Sequence, residues 1–175
     1  MQMIDGLIVT TFDADGEHRF AYIAFKRVTD ILLSCLLILL TLPMWLVAAV
    51  MVKVTSEGPI FFRQERTGQS GKLFVMFKFR SMYADTPKYG RSPESSEDDR
   101  VTAAGRFLRK TSMDELPQLL NVLTGEMTLV GPRPEMPYVT EAYTPLERRR
   151  LSVPQGLTGL WPVSYTHLDV YKRQV

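Results

Sequence analysis

From Ile31 to Val52 the chain reads ILLSCLLILLTLPMWLVAAVMV, twenty-two residues without a charge. As a helix this segment is roughly 33 Å long, about the thickness of a bilayer's hydrocarbon core. A helix apolar on all sides needs either a large protein interior or lipid around it, and 175 residues do not supply the first. A secretory signal is also a poor fit. The segment begins some thirty residues in, exceeds a signal's apolar region and is followed by no small-x-small cleavage site.

The flanking charges refine this. Lys26 and Arg27 precede the segment, and Lys53, Arg63 and Arg66 follow it. A simple span carries its cations mainly on the cytoplasmic side. Cations at both ends place both ends on that side. Pro43, near the middle, removes a backbone hydrogen bond and bends a helix. The sequence therefore predicts a helix from about Ala24 that enters the membrane, breaks at Pro43 and returns to the same face before the turn Ser56-Glu57-Gly58-Pro59. A kinked span is the alternative, because membrane helices tolerate proline.

Several function classes drop out. A net charge of +2 leaves no footprint for nucleic acid. The single cysteine, Cys35, excludes a disulfide framework and fits a reducing compartment. His18 and His167 are too few and too isolated for a zinc site. The stretch TGQSGK is no P-loop, since Arg66 stands where its first glycine belongs and Leu73 where Ser or Thr is required.

Residues 1–24 read as a short lead, with a hairpin around Asp13-Ala14-Asp15-Gly16. After the membrane segment, Gly68 and Gly71 separate two apolar runs and predict a β-hairpin. In the second run Leu73, Val75, Phe77 and Phe79 alternate onto one face, expected to be the buried one. Lys78 and Arg80 fall together on the other, either as a phosphate grip or as solvated edge charges. Residues 86–100 read as a polar surface loop, and the acids Glu94, Glu97, Asp98 and Asp99 as a solvated run rather than a metal site. A basic helix is predicted from Thr102 to Lys110.

Next comes TSMDELPQLLNVL, residues 111–123. Leu116, Leu119, Leu120 and Leu123 share one helical face. Pro117 is tolerated only in a first turn, so the helix should start at residues 113–115, and Gly125 should end it. Ser112 and Glu115 fit a capping box. Asp114 then lies at the positive end of the helix dipole, which lowers a carboxylate's pKa and also attracts phosphate. Spacing alone leaves two readings, ordinary helix-start acids or a reactive site. In GPRP, residues 131–134, two prolines stiffen a loop around Arg133, suited to bidentate phosphate recognition or to a plain turn. Arg148, Arg149 and Arg150 suit anionic headgroups at about 1 kcal/mol each.

Taken together and in order, KRVTD at 26–30, the proline-interrupted apolar segment, EGPIFFRQERTGQSGKLFVMFKFRSM at 57–82, LRKTSMDELPQLLNVLTGEMTLVGPRPE at 108–135 and GLTGLW at 156–161 resemble the bacterial undecaprenyl-phosphate sugar phosphotransferases, the monotopic phosphoglycosyl transferases. The resemblance runs from about Phe25 to Trp161. It implies transfer of a sugar 1-phosphate from a UDP-sugar to polyprenyl (undecaprenyl) phosphate, at the cytoplasmic face of the bacterial inner membrane, initiating a surface polysaccharide or glycan.

It further implies that Asp114 attacks the sugar-linked phosphorus and releases UMP, that Glu115 assists or helps hold Mg²⁺ with Asp114, and that Lys78, Arg80 and Arg133 offset phosphate charge. The expected fold is mainly α with a small β-hairpin: a re-entrant membrane helix over 25–54, then amphipathic surface helices in a catalytic region over 55–161. A homodimer is compatible with all of this. After GLTGLW the chain departs from the family's pattern, and residues 162–175 read as foreign sequence. Two other readings are an inactive membrane-bound scaffold and a CDP-alcohol-type phosphotransferase. The latter needs several aspartates across membrane helices, and the apolar segment carries none.

Overall fold

The computed structural model describes residues 16–87, 93 and 98–159, with side chains from Ala21 onward. The hairpin expected around Asp13, most of the 86–100 loop and the 162–175 tail lie outside the described residues.

Helix α1 (Gly16–Thr55) begins eight residues before the expected start at Ala24 and stays helical through Pro43. The helix is thus not interrupted there as expected. Proline deletes one donor and crowds one carbonyl, and the bonds of the flanking turns carry the helix across. From Ala21 to Thr55 it is long and apolar enough to cross a membrane. Its middle is bare: Leu39, Leu40, Leu42 and Leu46 are all exposed, Leu46 by 68%.

Both parts of α1 flanking Pro43 pack against the rest of the chain. On the near side Arg27 donates to the carbonyls of Val122 and Leu123, at 2.5 and 2.7 Å. Both carbonyls lie in the last turn of a helix; Val122 also accepts from the Gly125 amide at 3.1 Å, and the guanidinium adds a donor to each. Asp30, buried, accepts from the Thr128 hydroxyl at 2.5 Å and the Leu129 amide at 3.2 Å, and Lys26 reaches both Asp30 and Thr128. On the far side Ala48 and Val52 enter a core with Phe79, Leu108 and Met113, flanked by Trp45 and Leu116.

Strands β1 (Phe61–Thr67) and β2 (Leu73–Phe79) form the expected antiparallel hairpin, Phe61 opposite Phe79 and Thr67 opposite Leu73. Its phase is the reverse of the one expected over Leu73–Met76, while Phe79 is buried as expected. Phe74 and Met76 are buried with Val122 and Met127, while Leu73 and Val75 are exposed by 56% and 39%. Every residue from Leu73 to Phe77 is apolar, so alternation could not pick the face. Asn121 decides it. Its side chain accepts from the Phe77 amide at 3.0 Å and donates to the Val75 carbonyl at 2.7 Å, docking the next helix on β2.

Helix α2 (Ala103–Lys110) is capped by Thr102, whose hydroxyl accepts from the Gly105 amide at 2.9 Å. A Cβ on Gly105 would lie 1.9 Å from the Ser81 carbonyl oxygen. Gly105→Ala is therefore expected to destabilise the fold by about 1–3 kcal/mol, read as a lower midpoint in chemical unfolding.

Helix α3 (Gln118–Thr124) ends at Gly125, φ 88°, as expected. It starts later than expected, because residues 113–115 form a separate 3-10 turn. Its buried face is Gln118, Leu119, Asn121 and Val122, and Leu120 points outward. Strands β3 (Thr128–Val130) and β4 (Gly156–Thr158) pair in parallel, and short helices α4 (Pro137–Glu141) and α5 (Pro145–Arg148) lie between them in sequence.

Candidate active site

The chain enters the Met113–Glu115 turn through Ser112, whose φ of 56° lies in the left-handed region that L-residues seldom adopt. Ser112 makes no side-chain cap, so the expected capping box is absent. Glu115 instead faces Lys78 on β2, whose Nζ donates to its Oε1 at 2.8 Å. Arg133 Nη2 donates to the same oxygen at 3.3 Å. The GPRP loop holds Arg133 there because Gly131 packs on Gly156. A Cβ on Gly156 would meet the Gly131 nitrogen at 2.1 Å, and the Gly131 amide donates to Thr158 at 2.9 Å.

These groups open on a cleft of about 980 Å³. The adjacent Asp114 and Glu115 thus share the cleft with Lys78 and Arg133, which come from other parts of the chain. Arg80 lies on the same wall but is otherwise engaged. Its guanidinium donates to the Ser56 and Glu57 carbonyls, at 2.7 and 2.6 Å, and to the Ser56 hydroxyl. It ties the chain leaving α1 to β2, and both of its terminal nitrogens are taken up by that contact. Arg66 and Arg109 also line the cleft and were not singled out from the sequence. Arg66 donates to Gln64 at 2.7 Å. A signal for it existed: in β1 it shares the face of Phe62 and Gln64, opposite Lys78 and Met76. With Arg63, the cleft wall carries, among the described residues, six cations against two carboxylates, a balance suited to a polyanionic substrate.

The two adjacent acids are held differently. Burial pushes the Asp114 carboxyl above the ordinary carboxylate range, with Lys78 opposing and Glu115 reinforcing. This corrects the expected lowering: the turn is a short 3-10 element rather than the start of α3, and burial outweighs what its amides supply. Burial also acts upward on Glu115, but Lys78 and Arg133 together outweigh it and hold that carboxyl below its usual range. Burial likewise draws the Lys78 ammonium below its usual value, against the pull of Glu115. Neighbouring carboxylates driven apart in this way take different chemical roles.

Among the described residues no group of three or more His, Cys, Asp or Glu could hold a metal ion. Asp114 and Glu115 are two hard oxygen donors lining the cleft. That fits Mg²⁺, which is commonly held by one or two carboxylates together with a substrate's phosphates.

One pH effect follows. Activity that needs ionised Asp114 should fall on acidification through its raised pKa, so the acid limb of kcat/KM lies above that of an ordinary aspartate. Lys78→Met removes a charge that lowers this pKa and should move the limb further up. A limb at the usual aspartate value would contradict the assignment.

The family described as bacterial sugar transferase matches residues 21–175. The putative undecaprenyl-phosphate N-acetylgalactosaminyl 1-phosphate transferase of Bacillus subtilis is 44% identical over 73% of this chain and 72% of its own length. The UDP-glucose:undecaprenyl-phosphate glucose-1-phosphate transferase of Klebsiella pneumoniae is 46% identical over 78% of this chain, and 30% of its own length is covered. The UDP-N-acetylgalactosamine-undecaprenyl-phosphate N-acetylgalactosaminephosphotransferase of Aeromonas hydrophila is 39% identical over 79% of this chain and 33% of its own. The chain thus spans most of the Bacillus relative and about a third of the other two. Matched along nearly all of its described length, it belongs to the bacterial sugar transferases, the family of the undecaprenyl-phosphate sugar phosphotransferases.

Proposed function

We propose that this chain transfers a sugar 1-phosphate from a UDP-sugar to undecaprenyl phosphate at the cytoplasmic face of the bacterial inner membrane, through a phosphosugar carried on Asp114. The observation that carries the reading is the pair Asp114–Glu115 on one tight turn, facing Lys78 and Arg133 across a cation-lined cleft. The names of the relatives support the substrates.

In the first step an Asp114 carboxylate oxygen attacks the sugar-linked phosphorus. The bond from that phosphorus to the bridging oxygen breaks, and UMP leaves with the electron pair. In the second, a phosphate oxygen of the acceptor attacks the same phosphorus and Asp114 departs as carboxylate. The products are UMP and a polyprenyl diphosphate sugar. A carboxylate of raised basicity is the stronger nucleophile once ionised. Glu115, kept charged by Lys78 and Arg133, holds those two cations at the reacting phosphate. Arg66 and Arg109 offset the charge of the diphosphate. Mg²⁺, held by Asp114 and Glu115 with the substrate phosphates, would supply further neutralisation of that charge.

The bilayer is part of the proposal. The bare apolar middle of α1 sits between two parts that both pack on the catalytic body. With α1 helical through Pro43, this supports a helix whose apolar middle lies in one leaflet while both flanking parts stay on the catalytic body, keeping the cleft at headgroup depth.

The test is UMP release from a panel of UDP-sugars by the detergent-solubilised chain with Mg²⁺ and undecaprenyl phosphate. Release dependent on Asp114 supports the reading. Sound membrane association without release from any donor would overturn it in favour of a non-catalytic scaffold.

A further inference from the structure

The cleft has a second, apolar end. Phe62 stands directly opposite Lys78 in the hairpin register, and side chains so paired lie about 5 Å apart on one face. Lys78 in turn contacts Glu115. Phe62 is therefore the first apolar group met on leaving the phosphate-handling end. Pro59 and Ile60 continue this wall, fixed by the Arg80 amide donating to the Ile60 carbonyl at 2.9 Å.

One residue back, strand alternation turns Phe61 to the other face of the hairpin. There it stacks on Phe79 with centroids 5.3 Å apart, and Trp45 of α1 packs edge-on against both, at 6.5 and 5.6 Å. Trp45 neighbours the exposed Leu42 and Leu46 of the apolar segment. Phe61 and Phe79 also line the cleft, so apolar side chains stand both beside Lys78 and against Trp45, next to the apolar segment of α1.

We infer that this apolar end seats the first isoprene units of the polyprenyl phosphate acceptor, with Phe62 as the residue that positions them; the inference rests on the function proposed above. An acceptor whose phosphate reacts beside Asp114 must lead its tail away from that point, and an isoprene unit is about as long as the step from Lys78 to Phe62. The tail must also reach lipid, and this end of the cleft adjoins Trp45 of α1 through Phe61 and Phe79. A nucleobase is the competing occupant. It would ask for polar partners along its edge, and both terminal nitrogens of Arg80 on this wall already donate to Ser56 and Glu57.

Two measurements on the full chain in detergent test this. In the first, a farnesyl phosphate analogue carrying a photoreactive diazirine on its first isoprene unit should label residues 59–62. Excess undecaprenyl phosphate should suppress the label, and UDP should not. In the second, Phe62→Ala should raise KM for undecaprenyl phosphate about tenfold and leave KM for the UDP-sugar unchanged. Phe62→Leu should restore most of the loss, since the contact is apolar rather than a stacking platform.

Label elsewhere, suppression by UDP, or a donor KM that rises while the acceptor KM stays put would overturn the inference. The last two would assign this end to the nucleoside. The labelling experiment needs no turnover, so absence of UMP release with every donor would defeat the proposed reaction while leaving the seat to be judged by its label.

Discussion

Asp114→Asn is expected to lower UMP release on the order of 10⁴-fold or more, the scale seen when a covalent nucleophile is removed. The amide keeps the shape of the side chain and cannot form the acyl phosphate. The same substitution should not weaken the fold. Burial raises the Asp114 pKa, so the carboxylate's contribution to stability is best below its unfolded pKa and is lost as pH rises through the folded one. At neutral pH a neutral amide removes that burden, and the variant should melt at or slightly above the parent temperature. Lost release with a lowered melting temperature would instead make Asp114 a structural residue.

Lys78→Met is the second large effect, and its signature differs. The ammonium faces Glu115 at 2.8 Å in a part-buried setting and also favours ionised Asp114. Its loss leaves the Glu115 carboxylate with Arg133 alone. We expect kcat/KM to fall about 10²–10³-fold, the range for removing one preorganised electrostatic contact. Stability should drop by about 2 kcal/mol, because one member of a part-buried ion pair loses its partner. Paired measurement of kcat/KM and urea unfolding checks both. Glu115→Gln in the same background should recover stability without recovering rate, since it removes the uncompensated charge but not the need for a cation. Recovery of rate would mean that Lys78 serves only to hold Glu115.

Much of this arrangement was legible from residue order. Gly68 and Gly71 marked the hairpin, Thr102 the start of α2, and Gly125 the end of α3. The side-by-side acids and Arg133 stood out because two carboxylates and a proline-flanked arginine are unusual neighbours of apolar runs. What stayed hidden depended on partners distant in sequence. The face of β2 was set by Asn121, forty-four residues from Phe77, and no alternation within Leu73–Phe77 could reveal it. The tie from Arg80 to the chain leaving α1 was hidden as well, because its partners are the backbone carbonyls of Ser56 and Glu57, which carry no side-chain signature. The left-handed Ser112 split one expected helix into a turn and a helix, and the environment of Asp114 changed with it.

The way α1 is built in bears on how such a chain can be handled. Ala48 and Val52 fill the interior beneath Phe79 and Leu108, while Arg27 and Asp30 complete the ends of α3 and β3. The greasy rod is therefore not a tether that a protein engineer can trim to obtain a water-soluble catalyst. Cutting it away would open a hole under the hairpin and take one donor from each of two carbonyls in the last turn of α3. A soluble form would have to be reached by redesigning the outward leucines while keeping the inward residues, so that the rod stays and only its coat changes.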